Sequence, residues 1–270
     1  MARATVALLS DFGLRDHYVG AMKGVILGIC PDAVLVDITH DVPVHDVLTA
    51  GLELSAVYRL FPAGTIFLVV VDPGVGSTRR GLAVDTGDYR FVAPDNGVLT
   101  AVFQHTPPKN VVELTERRYG RPTVSKTFEG RDRFAPAAAW LGKNIQMSAL
   151  GRPVTDYQLL DIPVPTRTDD KLSGQVLRID RFGNVVSNID RKTFESYAQG
   201  SSGGIQIEVG VHAIGRLVET YADIGNDEVC AIFGGTEHLE FSASSQSAVD
   251  RLEVELGASV TVSRDESPDG

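Results

Sequence analysis

Residues 69–81 read VVVDPGVGSTRRG. An apolar run from Phe67 to Val71 leads into a carboxylate, Asp72, then Pro73 and a glycine-rich turn carrying Arg79 and Arg80. Open α/β sheets place their ligands at the carboxyl ends of strands, where this turn lies. Asp72 and one of the two arginines are therefore expected to face a pocket. Asp-Pro-Gly is also an ordinary turn, and solvated arginines would explain the same residues.

Working outward, strand signals at 5–9, 33–38, 65–71, 82–85, 91–93 and 110–114 alternate with helix signals at 18–29, 46–61, 97–103 and 131–140. The first and second strands read as buried. Val47, Gly51, Leu54, Tyr58 and Phe61 recur at helical spacing. This alternation predicts an α/β fold, with a mostly parallel sheet and flanking helices. The pattern changes near residue 160, where DIPVPTRTDDKLSG reads as a linker. Short strands are then expected at 174–180, 184–189, 204–209, 229–233, 239–241 and 259–262, forming a smaller β-barrel-like domain. The expected boundaries are 1–165 for the α/β domain and 172–263 for the β domain, with 264–270 a disordered tail.

The 270 residues carry a net charge of −10, with 43% hydrophobic and 22% charged residues. That is a globular balance. The acidic charge argues against nucleic acid, whose phosphates call for a basic patch. No run of eighteen apolar residues suggests a membrane span. The opening MARATVALLSDFG reads as a first strand rather than a signal peptide, because Ser10, Asp11 and Asp16 follow its apolar run at once. Cys30 and Cys230 stand alone, without zinc or CxxC spacing, which points to a reduced, cytoplasmic protein.

Asp11-Phe12-Gly13 has the letters of a kinase motif, but only ten residues precede it, too few for the loops a kinase needs. A carboxylate at the end of a first strand suits a sugar diol, since it accepts from two hydroxyls at once. A helix N-cap is the competing reading. GVGSTRRG lacks the lysine of a Walker loop, and it does not fit GxGxxG leading into a helix. His40, Asp41 and His45 in THDVPVHD have no further partner at metal-ligand spacing, so no metal is expected. Neither a GxSxG elbow nor a cysteine with a nearby histidine supports covalent catalysis. FEGRDRFAP gathers Glu129, Arg131, Asp132 and Arg133 at a helix start, either a polar cluster in the Asp72 pocket or local ion pairs. IDRFGNVVSNI sets Asp180, Phe182 and Asn184 around a turn, where an aromatic stacks on a base and an amide reads its edge, or a hairpin simply turns.

Taken in order, LLSDFG, VDITHDV, VVVDPGVGSTRRG, APDNGVL, TFEGRDRFAP and RIDRFGNVVSNI resemble the S-adenosyl-L-methionine (SAM) hydroxide adenosyltransferases. These are adenosine-forming SAM hydrolases, related to the SAM-dependent fluorinase and chlorinase. The resemblance runs from about Val6 to Ser263. It implies SAM as a substrate rather than a cofactor, no other cofactor, and a homotrimer binding SAM between subunits. By that resemblance Asp11 holds the ribose hydroxyls, while Asp16 and Asp180 hold the methionine ammonium. Phe182 and Asn184 contact adenine. Asp72 and Arg79 match two members of a water-activating Asp-Arg-His triad, with Arg79 preferred to Arg80 by spacing.

This chain departs from the pattern at three places. Glu129 stands where the triad histidine is expected, just before Gly130, and it is assigned with Asp72 and Arg79 to catalysis. His45 replaces the tryptophan that covers the substrate in the halogenases. The Ser-Arg pair near the methionine carboxylate falls at Gly235 and Thr236, without an arginine. Hydrolysis of SAM to adenosine and methionine is the expected reaction. Chloride transfer is the alternative, since Gly130 matches the chlorinase, although the halogenases carry tyrosine where Asp72 stands. A SAM- or adenosine-binding sensor is a third reading, suggested by the exchange at Glu129.

Overall fold

The computed structural model describes residues 3–199 and 204–264. The chain divides into two compact units, Met1–Ile162 and Pro163–Gly270. In the first, β1 (Thr5–Ser10), α1 (Tyr18–Ile29), β2 (Val34–Thr39), α2 (Val47–Val57) and β3 (Ile66–Val70) open the chain. β4 (Gly81–Asp85), β5 (Arg90–Pro94), α3 (Thr100–His105), β6 (Asn110–Leu114), α4 (Ala135–Gly142) and β7 (Gly151–Pro153) follow. The sheet order is β2-β1-β3-β5-β4-β6-β7. Its first four strands are mutually parallel, and β4, β6 and β7 join antiparallel beyond them.

Strand side chains alternate between faces, and here both faces are covered. Val6, Leu8, Leu68 and Val70 pack with Met22 and Ile26 of α1 and the alanines of α4. Ala7, Leu9, Phe67, Val69 and Val71 pack on the other side with Ala50 and Leu54 of α2 and Val102 of α3. This double burial is why β1 and β3 read as unbroken apolar runs. Each fully buried large side chain, such as Phe67 or Leu68, contributes about 1.5–3 kcal/mol through burial alone.

β2 departs from expectation. Its residues are exposed or half-buried and none is fully buried, because it is an edge strand paired only with β1. The second helix is also shorter than its periodicity suggests, ending at Val57 before a 3-10 turn, Tyr58–Leu60. Asp46 caps its start, accepting from the Thr49 backbone N–H at 2.9 Å. The helix expected at 131–140 opens as a wide π turn, Gly130–Phe134, before α4. Pro136 explains the change, because it has no N–H for the Asp132 carbonyl. That carbonyl accepts instead from the Arg121 N–H at 2.9 Å.

The order β2-β1-β3 creates a switch point. The chain leaves β1 for β2 on one side, then crosses to β3 on the other. Loops leaving β1 and β3 therefore diverge, and a crevice opens at the carboxyl ends of these strands. Ser10 lies in register with Val70, so both strands end together. Asp11 and Asp72 follow them at that edge.

The second unit contains β8 (Thr166–Arg167), β9 (Lys171–Ile179), β10 (Val185–Asp190), α5 (Arg191–Ala198), β11 (Ile205–Val209) and β12 (His212–Ile214). β13 (Leu217–Val218), β14 (Val229–Phe233), β15 (His238–Ala243), α6 (Ala248–Leu252) and β16 (Ser259–Arg264) complete it. The sheet runs β12-β11-β16-β9-β10-β15-β14-β13, with β8 beside β9. β12 near one end also touches β14 near the other, so the sheet almost closes into a barrel. Phe241, Tyr197, Val260 and Leu172 fill it. Arg264 ends β16, and the rest of the tail expected at 264–270 lies outside the described residues. Among the described residues, no helix is long and apolar enough to cross a membrane.

Candidate active site

At the crevice, Asp72 and Arg79 form a two-point contact. Arg79 Nε donates to Asp72 Oδ1 at 2.7 Å, while Arg79 Nη2 pairs with Asp72 Oδ2. The same Nη2 donates to Glu129 Oε2 at 2.5 Å. Glu129 also accepts from Arg133 Nη1 at 3.2 Å, and Arg133 is anchored on the Leu114 carbonyl at 2.9 Å. The result is a row of alternating charge, Asp72–Arg79–Glu129–Arg133. The side chains of Asp72, Arg79 and Glu129 are 6%, 9% and 11% exposed, so solvent screens them little. Burial pushes the Asp72 carboxyl above the ordinary aspartate range; Arg79 opposes the shift and the charge on Glu129 adds to it.

The fold presents these groups through small residues and one aromatic. The Arg79 guanidinium lies 5.1 Å from the centre of the buried Phe134 ring. Gly81 leaves room for that ring, since a Cβ there would meet it at 2.4 Å. Gly76, at φ +78°, turns the glycine-rich loop under the Lys126 carbonyl, where a Cβ would sit 2.4 Å away. Arg80, to which Arg79 is preferred by spacing, turns elsewhere. Its Nε donates to Asp95 at 2.7 Å and its Nη1 to Asp156 at 2.7 Å. Asp95 also accepts from the Gln158 N–H at 2.7 Å, and Asn96 donates to the Val71 carbonyl at 2.9 Å. APDNGVL thus braces the end of the strand that carries Asp72.

Asp11 is half-buried, and its Oδ2 accepts from the backbone N–H of His45 at 2.9 Å. Asp11 does not cap α1, which begins at Tyr18 with His17 in the cap position. His45 is exposed at φ +67°. Asp16 is exposed in the segment between β1 and α1. Gly130 is buried, and a Cβ there would press on Val70 at 3.1 Å and Met22 at 3.3 Å, which makes it a packing position as well. His40 is buried, with both ring nitrogens within hydrogen-bond distance of Ser10 and Asp37. Among the described residues, no three His, Cys, Asp or Glu side chains are placed to hold a metal ion.

In the second unit, Asp180 organises the turn between β9 and β10. Its Oδ1 accepts from the N–H groups of Phe182 and Asn184 at 2.8 and 2.9 Å, and its Oδ2 from Asn184 Nδ2 at 2.9 Å. Gly183 supplies a φ of +82°. Phe182 is no core aromatic, for it is 77% exposed at the rim of a cavity of about 880 Å³. Asp180, Asn184 and Tyr221 line that cavity together with residues 243–247. Tyr221 and Glu240 went unnoticed in the sequence. The Tyr221 hydroxyl donates to Glu240 Oε1 at 2.6 Å. Burial and the Glu240 carboxylate push the tyrosine up to about 12, and burial raises Glu240 in turn. A lone acid between Leu239 and Phe241 in an apolar strand was the available signal for Glu240.

Two family models match the chain: the SAM hydroxide adenosyltransferase N-terminal domain over residues 6–151 and its C-terminal domain over 174–261. A protein of Thermus thermophilus named (R)-S-adenosyl-L-methionine hydrolase is 33% identical over 266 residues, covering 94% of this chain and 98% of the relative. A Salinispora tropica protein of the same name is 34% identical, covering 93% and 95%. A Nocardia brasiliensis fluorinase is 28% identical, covering 96% and 97%. A crystal structure of an uncharacterized conserved protein from Thermotoga maritima superposes with a TM-score of 0.88 at 34% identity, covering 96% of this chain and 100% of the other.

Proposed function

Because the chain belongs to the SAM hydroxide adenosyltransferase family, we infer that it is an enzyme that hydrolyses SAM to adenosine and L-methionine. The hydrolases share more of its sequence than the fluorinase does. The observation that carries the reading to particular atoms is the buried contact of Asp72 with Arg79. A carboxylate in so dry a place repels a halide, since like charges at short range are costly where water is excluded.

The sulfonium of SAM already makes methionine a neutral leaving group, so the protein needs to hold a water in line with the C5′–S bond. In the mechanism we propose, Asp72 accepts a proton as the water oxygen bonds to C5′. The electrons of the C5′–S bond go to the methionine sulfur. A raised pKa suits Asp72 to this task, because it makes the carboxylate a stronger base. Arg79 fixes its orientation, and Glu129 holds Arg79 from the far side. Asp11 takes the ribose hydroxyls, with Oδ1 carrying no hydrogen bond among the described residues. Phe182 and Asn184 take the adenine, while Asp16 and Asp180 take the methionine ammonium. Gly130 and His45 complete the substrate contacts. The reaction uses no cofactor.

The assembly we propose is a homotrimer. Leu14 and Val44 are 70% and 72% exposed on the first unit and Phe182 is 77% exposed on the second, which leaves apolar surface for neighbouring subunits to cover. Light scattering on the purified protein reads the mass directly. A cytoplasmic location accords with two free, buried cysteines. Product analysis with SAM, with and without chloride, tests the activity. Adenosine and methionine at equal rates in both are expected. Chlorinated adenosine would make the protein a halogenase, and tight binding without product would make it a sensor.

A further inference from the structure

THDVPVHD holds a histidine that the proposed reaction does not use. His40 is 4% exposed and Ser10 is fully buried. Ser10 Oγ lies 2.7 Å from His40 Nδ1, and His40 Nε2 lies 3.1 Å from Asp37 Oδ1. Lys23 Nζ donates to the other Asp37 oxygen at 2.6 Å.

The direction of each bond follows from its ends. A backbone N–H only donates, so Ser10 Oγ accepts from the Phe12 N–H, 3.3 Å away. Lys23 holds Asp37 as a carboxylate, which accepts from Nε2–H. Nδ1 is then the ring's acceptor, and the Ser10 hydroxyl proton points to it. With these directions the Phe12 N–H, the Ser10 hydroxyl and the His40 Nε2–H each have an acceptor.

The same histidine holds the far side of the turn. Its backbone carbonyl accepts from the Gly13 N–H at 2.7 Å, with Gly13 at φ +65°. The N–H groups of both residues after Asp11 are thus tied to Ser10 and His40.

We propose that His40, acting through Ser10 and its own carbonyl, is the positioning residue for Asp11 and sets the affinity of the site for the ribose diol. The proposal rests on the reading that Asp11 binds the ribose. A displacement of Asp11 weakens its bonds to the diol but leaves the adenine contacts and the water-activating groups in place. Ligands lacking the ribose hydroxyls do not sense the loss.

The test is calorimetry of adenosine and 2′,3′-dideoxyadenosine against the whole protein and its Asp11→Asn, Ser10→Ala, His40→Leu and His40→Asn variants. Asp11→Asn should weaken adenosine but not the dideoxy compound. Ser10→Ala and His40→Leu should do the same, by on the order of tenfold, the scale of one lost hydrogen bond. His40→Asn should recover part of the loss, because its amide oxygen can replace Nδ1 as the acceptor for Ser10. KM for SAM should rise with the adenosine dissociation constant while kcat changes less. Ser10→Ala, a smaller excision, carries the test should His40→Leu not fold. Equal weakening of both ligands in Ser10→Ala, or weakening of neither, overturns the proposal while the Asp11 reading stands. An Asp11→Asn protein that binds both ligands as the wild type does overturns the ribose reading and the proposal with it.

Discussion

Arg79 and Arg80 are neighbours in the chain and serve different carboxylates. Arg79 spans Asp72 and Glu129, whereas Arg80 joins Asp95 to Asp156. Lysine cannot reproduce a two-carboxylate fork. Arg79→Lys should therefore lower kcat by about 10²-fold, the usual cost of a misplaced catalytic group. Arg80→Lys should leave kcat within a few-fold and lower stability, since it loosens the hold on the buried Asp95 while the exposed Asp156 adds little. Steady-state kinetics and urea denaturation of the two variants separate these roles.

As the base, Asp72 works ionised. Burial raises its pKa, so kcat should fall with decreasing pH at a point above the ordinary aspartate range. Glu129 contributes to that rise. Glu129→Gln removes a negative neighbour, makes Asp72 easier to ionise and should move the acid limb to lower pH. The pH profile of the variant's remaining activity reads the shift; a limb that stays in place would separate Glu129 from the base.

Gly81→Ala probes the packing beneath Arg79. The new methyl group would displace the Phe134 ring on which the guanidinium rests. Overpacking of this kind costs about 1–3 kcal/mol, and kcat should fall while the affinity for adenosine holds. Comparing adenosine binding with turnover in the same preparation checks the split.

Asp132 is fully buried and binds Arg131 Nε at 2.7 Å and the Ser125 N–H at 2.8 Å. Burial alone would raise its pKa, but Arg131, the Ser125 N–H and Arg121 together lower it. A depressed native pKa means stability that is present above the unfolded-state pKa and lost as pH falls through the native one. Asp132→Asn should cost about 2 kcal/mol near neutral pH, and the difference from wild type should shrink in acid. Urea unfolding at two pH values measures this.

Much of the site was legible because it lies where two buried strands end. The apolar runs before Asp11 and Asp72 mark β1 and β3, and parallel register brings their ends together. The residues alone left Arg79 and Arg80 open, and only the family spacing favoured Arg79. The structure supplies the physical difference, with Arg79 on Asp72 and Arg80 turned to Asp95. Arg133 was named only as part of a charged cluster. Its hold on Glu129 depends on the π turn that Pro136 imposes and on the Leu114 carbonyl, 19 residues earlier. Tyr221 and Glu240 meet only once β15 is folded, so neither neighbourhood announces the pair. The exposure of β2 was hidden for another reason: VLVDIT reads alike at a sheet's centre and at its edge. Strands of two or three residues, such as β8 and β13, carry no period to read.

The most direct test of Asp72 as base to an attacking water is a single turnover of SAM in ¹⁸O-labelled water, with the adenosine analysed by mass. One ¹⁸O in the 5′-hydroxyl of the first adenosine released is the expected result. Unlabelled adenosine in that first turnover would contradict it, because the new oxygen would then have come from the protein.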